Sequence, residues 1–276
     1  MIGRAFAPSH ITGFFIIYDD ADPMKMGSCG CGLALESGAY TETSLSNRTE
    51  IFLNGAPSEA PTTKAIIDLL TDRPVKVDSK LSLPMGGGFG ASGSGALSTA
   101  LALNQMLGLN RSYNDLCYAA HVAEVVNRTG LGDVAGMSSG GITIRVKPGT
   151  PFALDHIPVP PIDIYCVHFG PISTKSVLSD EKEKACINKA GTDCLKELLR
   201  KPTFGHFMEL SRKFSVSTGL VSAKGLDAIE SVESHGGMAS MAMLGDTIFS
   251  TCEEGMSEFG EVIRTKICMT GAYPLL

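Results

Sequence analysis

A glycine-rich stretch in the first half of the chain carries the strongest sign of chemistry. Between Leu83 and Ala96 the sequence reads Pro-Met-Gly-Gly-Gly-Phe-Gly-Ala-Ser-Gly-Ser-Gly, with six glycines and two hydroxyl side chains. Glycine adopts positive φ and lets the main chain approach a ligand closely, so several N–H groups can point at one anion. The apolar run 96–107 predicts a buried helix whose N-terminus opens onto this loop. Loop and helix dipole together predict a phosphate-binding site.

Two common phosphate loops fit this stretch poorly. A P-loop NTPase needs a lysine directly after its glycines to reach the β and γ phosphates, and no lysine follows here. A dinucleotide-binding fold is favoured by the glycine spacing of 88–93 and by Asp115, about twenty residues later. However, the preceding segment 75–83 alternates polar and apolar residues, and Pro84 lies in the turn itself. A dinucleotide-dependent oxidoreductase is therefore the weaker alternative.

Two acidic residues downstream of the loop could complete a site for phosphoryl transfer. Glu124 lies on a helix predicted over 112–128, and Asp133 follows the next glycine-containing turn. Transfer to a hydroxyl needs a carboxylate on Mg²⁺ and a group that accepts the hydroxyl proton. The structural alternative pairs Glu124 with Arg128 four residues on and makes Asp133 an ordinary turn residue. The joint occurrence of both acids with the loop favours the catalytic interpretation, and His121 is predicted to share the helix face of Glu124.

The elements that must position these residues alternate between strands and helices. The pattern predicts a strand from Gly3 to Tyr18, interrupted at Pro8-Ser9-His10, and a hairpin or meander over 28–53. Further strands are predicted over 75–83, 141–146, 162–169, 246–250 and 264–270, and further helices over 63–70, 179–200 and 204–217. Ser112 is the predicted N-cap of the helix over 112–128. Five prolines between Pro148 and Pro161 mark a boundary between two domains, 1–155 and 156–276, in an α+β protein.

The amino-acid composition limits the kinds of molecule that this chain is expected to bind. Its 276 residues are 43% hydrophobic and carry a formal net charge of −6, with a pI near 5.5. Binding to nucleic acid normally needs a clustered excess of Lys and Arg, so the expected partner is a small molecule. No apolar stretch reaches the roughly 20 residues that cross a bilayer. We predict a cytoplasmic protein with no nucleic-acid or membrane partner and reduced cysteines; the oligomeric state is left open, a homodimer included.

The loop pattern Pro84-x-x-x-Gly88-x-Gly90-x-Ser92 resembles the phosphate loop of the GHMP kinases, the superfamily of galactokinase, homoserine kinase and mevalonate kinase. The resemblance implies ATP and Mg²⁺ as cofactors and a two-domain fold, with a ribosomal-S5-domain-2-like N-terminal domain and a ferredoxin-like C-terminal domain. It implies that Ser92 and Glu124 hold Mg²⁺ and that Asp133 is the catalytic base, with Ser94 as an alternative to Ser92. The residues that it places against ATP are Pro84, Gly86, Gly87, Gly88, Gly90, Ala91, Ser92, Gly93 and Ser94.

Segments 7–15, 22–32 and 127–133 are similar to one family within this superfamily, the pantoate kinases of archaea. This resemblance implies ATP-dependent phosphorylation of the primary hydroxyl of pantoate, giving 4-phosphopantoate for coenzyme A synthesis. Pantoate has a carboxylate and hydroxyls, so its pocket needs a cation and several hydrogen-bond partners. Arg145, on the strand after Asp133, is the candidate for the carboxylate, and the alternative is an ordinary exposed strand arginine. The other candidate substrate contacts are Ser28, His121, Thr174 and His10.

The superfamily's third glycine motif is altered here to the methionine-rich segment 236–245. We expect its methionines in the core and its glycines to close over substrate or phosphate. Two other functions remain open. The chain could be a kinase of the mevalonate or homoserine type, or a nucleotide-binding sensor without catalysis.

Overall fold

Two long antiparallel strands form the centre of the structure, a computed structural model that describes residues 2–171 and 181–276. Strand β1 spans Ile2–Tyr18 and β2 spans Gly27–Leu45, and they pair from end to end. The predicted interruption at Pro8-Ser9-His10 is wrong. A shift of register between Pro8 and Ser9 accommodates the proline within a continuous strand.

Among the described residues, the first sheet contains eight strands. Besides β1 and β2 these are β3 (Glu50–Leu53), β4 (Ala56–Pro57), β5 (Val75–Leu81), β6 (Ile142–Lys147), β7 (Ala153–Ile157) and β12 (Tyr273–Pro274). Their order is β12-β1-β2-β5-β3-β4, while β6 pairs with the other end of β2 and carries β7 on its far side. Strand β5, which leads into the glycine loop, and strand β6, which carries Arg145, therefore both pair with β2.

Four helices accompany this sheet: α1 (Pro61–Leu70), α2 (Ala91–Leu107), α3 (Tyr113–Asn127) and α4 (Asp133–Ser139). Helix α2 begins earlier than predicted, and α4 was not predicted. The N-cap prediction for α3 is confirmed, since Ser112 Oγ accepts the Asp115 N–H and the Asp115 carboxylate accepts the Ser112 N–H. Apolar residues of α1, α2 and α3 form one core with the first part of β1.

The second sheet lies in the C-terminal half, with its strands in the order β11-β8-β10-β9. These strands are β8 (Asp163–Gly170), β9 (Ala239–Met241), β10 (Asp246–Ser250) and β11 (Ile263–Lys266). Helices α5 (Glu181–Arg200), α6 (Phe204–Ser217) and α7 (Ala223–Ser234) pack with them. None of the helices in the two described ranges is long and apolar enough to cross a membrane.

Strand β1 passes from one hydrophobic core to the other. Ala5 and Ala7 belong to the core of α1, α2 and α3, whereas Ile11 and Phe14 belong to the core of the second sheet. The Phe14 ring lies 6.5 Å from that of Phe207 on α6, measured between centroids. The middle of β1 is therefore held by both cores, and it carries His10 and Thr12, which contact Asp133 in the site described next.

Candidate active site

A cavity of about 370 Å³ lies where the glycine loop faces the turn between α3 and α4. Strand β1 and the segment between β9 and β10 close its other sides. The residues that line it are Thr12, Phe15, Ser28, Met85, Gly86, Gly88, Phe89, Gly90, Ala91, Ser92, 127–133, Arg145, Met243 and Leu244. Concave sites of this size accommodate small molecules.

The glycine loop reaches the cavity through three residues in the left-handed region. Gly86, Gly88 and Gly90 have φ values of 76°, 78° and 64°, which other residues adopt only with strain. Because α2 begins at Ala91, Ser92 lies in the first turn of the helix instead of in the loop. The first N–H groups of a helix have no intrahelical partner, and the helix dipole places positive charge at the same end. Ala91 and Ser92 bring this end to the cavity wall, where it can bind an anion.

The two hydroxyls of this turn have different surroundings. Ser94 is fully buried, and its Oγ donates a hydrogen bond to the carbonyl oxygen of Ala91 at 3.1 Å. Ser92 is exposed and lines the cavity. Of the two, Ser92 is the hydroxyl that can reach a ligand.

The methionine-rich segment supports the loop from behind. A Cβ on Gly245 would lie 2.1 Å from the carbonyl carbon of Gly87, so the two backbones are in direct contact. The expectation of buried methionines is confirmed for Met241 and Met243. Gly236 and Gly237, by contrast, follow α7 and do not line the cavity.

Glu124 is completely buried at the side of the cavity. Cβ atoms on Gly93 and Gly130 would lie 2.7 and 2.5 Å from its Oε1, so the carboxylate fills the space between the first turn of α2 and the turn after α3. The alternative pairing with Arg128 is wrong, since neither carboxylate oxygen has a hydrogen-bond partner among the described residues. Burial raises the pKa of Glu124 well above its ordinary value, and the charge of Asp133 raises it further. The Val134 amide and Arg145 oppose the shift, but they leave the carboxylate without a well-formed contact.

Asp133 is the first residue of α4 and faces the cavity with its side chain 18% exposed. Its Oδ1 accepts hydrogen bonds from Nδ1 of His10 at 2.9 Å and from the Thr12 hydroxyl at 3.3 Å. Burial lowers the pKa of His10, although the Asp133 carboxylate opposes this shift. The imidazole is therefore neutral near pH 7, with its proton on Nδ1 and its buried Nε2 without a partner in the described chain. His10 thus lies behind Asp133 and not in the cavity wall.

Arg145 lies deep in the cavity wall and is only 2% exposed. Its Nη2 donates to the Thr12 hydroxyl at 3.4 Å, while Nε and Nη1 have no partner among the described residues. Burial lowers the pKa of this guanidinium, and the nearby Asp133 carboxylate opposes the shift. A buried cation with two unused donors can bind an anionic group of a ligand.

The predicted substrate residues divide between two cavities. Ser28 lines both the large cavity and a small one of about 10 Å³, and His121 lines only the small one. Nε2 of His121 hydrogen-bonds to the Met26 carbonyl at 2.9 Å, so its unpartnered Nδ1 is a free acceptor. Thr174 lies outside the described residues.

The structure brings most of the predicted residues together, but several lie behind the wall. The predicted residues that do not line the large cavity are Pro84, Gly87, Gly93, Ser94, Glu124, His10 and His121. Thr12 was not predicted, although it links Asp133 to Arg145. Strand periodicity could have identified it, because residues two apart on a strand share a face, and His10 and Thr12 are such a pair.

Comparisons with known proteins agree with this site. The family model of the GHMP kinases N terminal domain matches residues 61–141, which contain the glycine loop, Glu124 and Asp133. A pantoate kinase of Methanocaldococcus jannaschii is 36% identical over 263 residues, covering 91% of this chain and 95% of the relative. The chain belongs to the pantoate kinase family.

A second relative and a solved structure support the same conclusion. A pantoate kinase of Thermococcus kodakarensis is 35% identical over 278 residues, covering 94% of this chain and 90% of the relative. A solved structure described as a phosphotransferase related to the CoA biosynthesis pathway is 29% identical, with a TM-score of 0.90 and coverage of 100% of this chain and 99% of that one. The predicted resemblance and the predicted two-domain GHMP kinase fold of class α+β are both confirmed.

Proposed function

We propose that this protein is a pantoate kinase, which transfers the γ-phosphoryl group of ATP to the primary hydroxyl of pantoate and yields 4-phosphopantoate and ADP. The observation that carries the proposal is the buried Arg145, which lines the same cavity as Asp133 and has two guanidinium nitrogens, Nε and Nη1, without a partner among the described residues. A buried guanidinium without an acid of its own calls for an anionic ligand. Pantoate has a carboxylate and an alcohol in one small molecule, and the reaction belongs to coenzyme A synthesis. We place it in the cytoplasm.

The N-terminus of α2 and the glycine loop bind the phosphates of ATP. Their N–H groups and the helix dipole supply positive charge without a lysine. The loop glycines keep the backbone close to the ligand, and Gly245 holds them from behind.

Glu124 and Ser92 would hold Mg²⁺. The buried, unpartnered carboxylate of Glu124 fits a cation ligand; it contacts Gly93, the residue after Ser92, and the exposed Ser92 lines the cavity. A Mg²⁺ ion at this site would take its other ligands from phosphates and water. When bound, Mg²⁺ neutralises charge on the phosphates during transfer.

Asp133 accepts the proton of the primary hydroxyl as the hydroxyl oxygen bonds to the γ-phosphorus and the bond to ADP breaks. His10 and Thr12 hold Oδ1 of Asp133 in place, so the carboxylate does not have to reorient during the reaction. Arg145 and Ser28, which line the large cavity, bind the carboxylate of pantoate, while His121 lines only the small cavity and remains a predicted substrate contact. Thr174 remains a predicted substrate contact.

The test is phosphorus NMR of the products formed from ATP with pantoate, mevalonate or homoserine. We expect a new phosphomonoester signal with pantoate alone. A larger yield with mevalonate or homoserine would reject the substrate, and ATP binding without any phosphorylated alcohol would favour a sensor.

The base assignment is tested by Asp133→Asn, which should lose turnover far more than affinity for ATP, because the base acts in the transition state. Asp155→Asn, at an exposed position on β7 outside the cavity, is the matched control. Undiminished turnover in Asp133→Asn would reject Asp133 as the base.

A further inference from the structure

Arg128 lies at the rim of the cavity in a backbone conformation that disfavours it. It is the C-cap of α3, with φ 55° and ψ 38°. Helices often end in this left-handed conformation, but usually with glycine, because a Cβ makes it less favourable. An arginine at this position needs a reason other than chain geometry.

The backbone on both sides of Arg128 is fixed. The N–H of Arg128 donates to the carbonyl oxygen of Val125, and the N–H of Thr129 donates to that of Glu124, both at 3.1 Å. The Thr129 hydroxyl hydrogen-bonds to that of Thr62 at 3.0 Å, which ties the turn to α1. The direction in which the Arg128 side chain leaves the backbone is therefore set by the fold.

Charge in the cavity wall is sparse. Among the described residues that line it, the charged ones are Arg128, Asp133 and Arg145. Arg145 is buried beside Asp133 and is committed to the substrate end. Arg128 is exposed and has no hydrogen bond or ion pair to a described side chain. Among the described residues of the cavity wall, Arg128 is therefore the cation available to bind a second anion.

The contacts of Glu124 indicate where that anion would bind. Its carboxylate touches Gly93, in the first turn of α2, on one side, and Gly130, two residues after Arg128, on the other. The turn that carries Arg128 is therefore separated from the N-terminus of α2 by about the width of one carboxylate group. Arg128 lines the same cavity as Ala91 and Ser92 at that N-terminus, so an extended guanidinium can approach a phosphate bound there.

We propose that the Arg128 guanidinium binds the phosphoryl group of ATP that is transferred and stabilises the charge it carries in the transition state. The assignment rests on the proposed kinase function, because it uses the phosphate site at α2. A planar guanidinium can donate two parallel N–H bonds to one phosphate, which a lysine cannot do. No covalent change occurs at Arg128.

The decisive variant is Arg128→Gly, because it removes the guanidinium and relieves the left-handed backbone at once. We expect kcat to fall by about 10²-fold, the effect of removing one preorganised donor to a transition-state charge, while Tm stays the same or rises. Arg128→Lys keeps the charge without the bidentate geometry and should recover only part of the loss. Asn110→Gly, at an exposed turn residue with φ 54°, controls for the backbone, and Arg111→Ala controls for the loss of an exposed cation outside the cavity.

Nucleotide binding separates this proposal from the proposed function. Calorimetric titration should show that Arg128→Gly weakens binding of a non-hydrolysable ATP analogue several-fold but leaves binding of ADP within twofold, because ADP lacks the transferred phosphate. A wild-type protein that binds ATP but does not phosphorylate pantoate would defeat the substrate assignment and leave this comparison valid. Equal affinities of variant and wild type for both nucleotides, with kcat unchanged, would overturn the role of Arg128. A drop in Tm that accounts for lost activity would overturn it as well.

Discussion

His10 was predicted from the sequence as a substrate contact, whereas the structure places it behind Asp133, and one pair of variants distinguishes the two roles. Nδ1 of His10 donates to Asp133 at 2.9 Å, and Nε2 lies between Gly32 and Gly136, whose Cβ atoms would approach it to 2.6 and 2.4 Å. The amide nitrogen of an asparagine is as many bonds from the backbone as Nδ1, and that of a glutamine as many as Nε2. His10→Asn can therefore keep the hydrogen bond to Asp133, and His10→Gln cannot keep it without distortion.

The magnitude follows from the contact that is lost. A hydrogen bond to a charged group contributes about 1.5–3 kcal/mol, and each 1.36 kcal/mol of barrier is tenfold in rate. If the bond holds the base in its reactive position, His10→Gln should lower kcat by roughly 10- to 150-fold. The Thr12 hydroxyl still donates to Asp133 Oδ1 in this variant, so the loss should stay below that of Asp133→Asn.

The assay is steady-state kinetics with both substrates varied, together with thermal unfolding of each variant. We expect His10→Gln to lose kcat with the KM values for ATP and pantoate within about twofold, and His10→Asn to retain most of the wild-type kcat. Both variants alter a fully buried site, so similar losses of Tm are expected and serve as the control. Equal losses of kcat in the two variants would refute positioning by Nδ1. A rise confined to the KM for pantoate would instead support the substrate contact predicted from the sequence.

Three further predictions concern residues in the cavity wall or directly behind it. Glu124→Gln should raise Tm in Mg²⁺-free buffer at neutral pH and abolish turnover. Because the pKa of Glu124 is raised in the folded protein, the wild type is most stable when this carboxyl is protonated and loses stability as pH rises. The difference in Tm between Glu124→Gln and wild type should therefore shrink as pH falls toward 4.5. A difference that grows toward pH 4.5 would contradict the burial argument. Gly245→Ala should raise the KM for ATP at least tenfold, because its Cβ would meet the backbone of Gly87, whereas Gly205→Ala, with no atom nearer than 3.9 Å, should be neutral; equal kinetics in both would contradict this contact. Arg145→Lys should raise the KM for pantoate by about 10-fold or more without changing that for ATP, and an effect on ATP alone would reassign Arg145.

The phosphate loop could be predicted because its requirements are local. Three left-handed residues within five positions require glycine at 86, 88 and 90, and the helix follows directly. The start of that helix could not be placed, since Ser92 and the glycine after it have low helix propensity and are typical of loops. Their place in the first turn depends on the packing of α2 against the rest of the domain.

Two strands were predicted incorrectly because of nearby prolines: β1 was predicted to be interrupted, and β7 was not predicted. Pro8 lies at a register shift inside β1, where the ladder is already irregular. β7 lies in the proline-rich segment, but Pro151 and Pro158 fall outside its limits and remove no hydrogen bond from its ladder. Helix α4 was missed because seven residues that include Gly136 and two serines give no periodic signal. Gly136 is needed there because the His10 ring occupies the space of its Cβ.

The joint occurrence of Glu124 and Asp133 with the glycine loop predicts a catalytic pair, and the family resemblance assigns a role to each; both roles stay predictions, since each acid alone has an ordinary structural explanation. The contact between His10 and Asp133 spans 123 positions of sequence, and no local pattern encodes it. The same holds for Thr12, whose hydroxyl connects residues from α4 and β6.

Residues 10–12 of β1 contact the glycine loop, Asp133 and the C-terminal half of the chain. The His10 N–H donates to the Phe89 carbonyl of the glycine loop, its ring binds Asp133, and the carbonyl of Thr12 accepts the N–H of Met243 from the C-terminal half. The glycine loop, Asp133 and the C-terminal half are therefore all joined to one short stretch of β1, residues 10–12. Insertions or domain exchanges should be designed so that this tripeptide keeps its contacts.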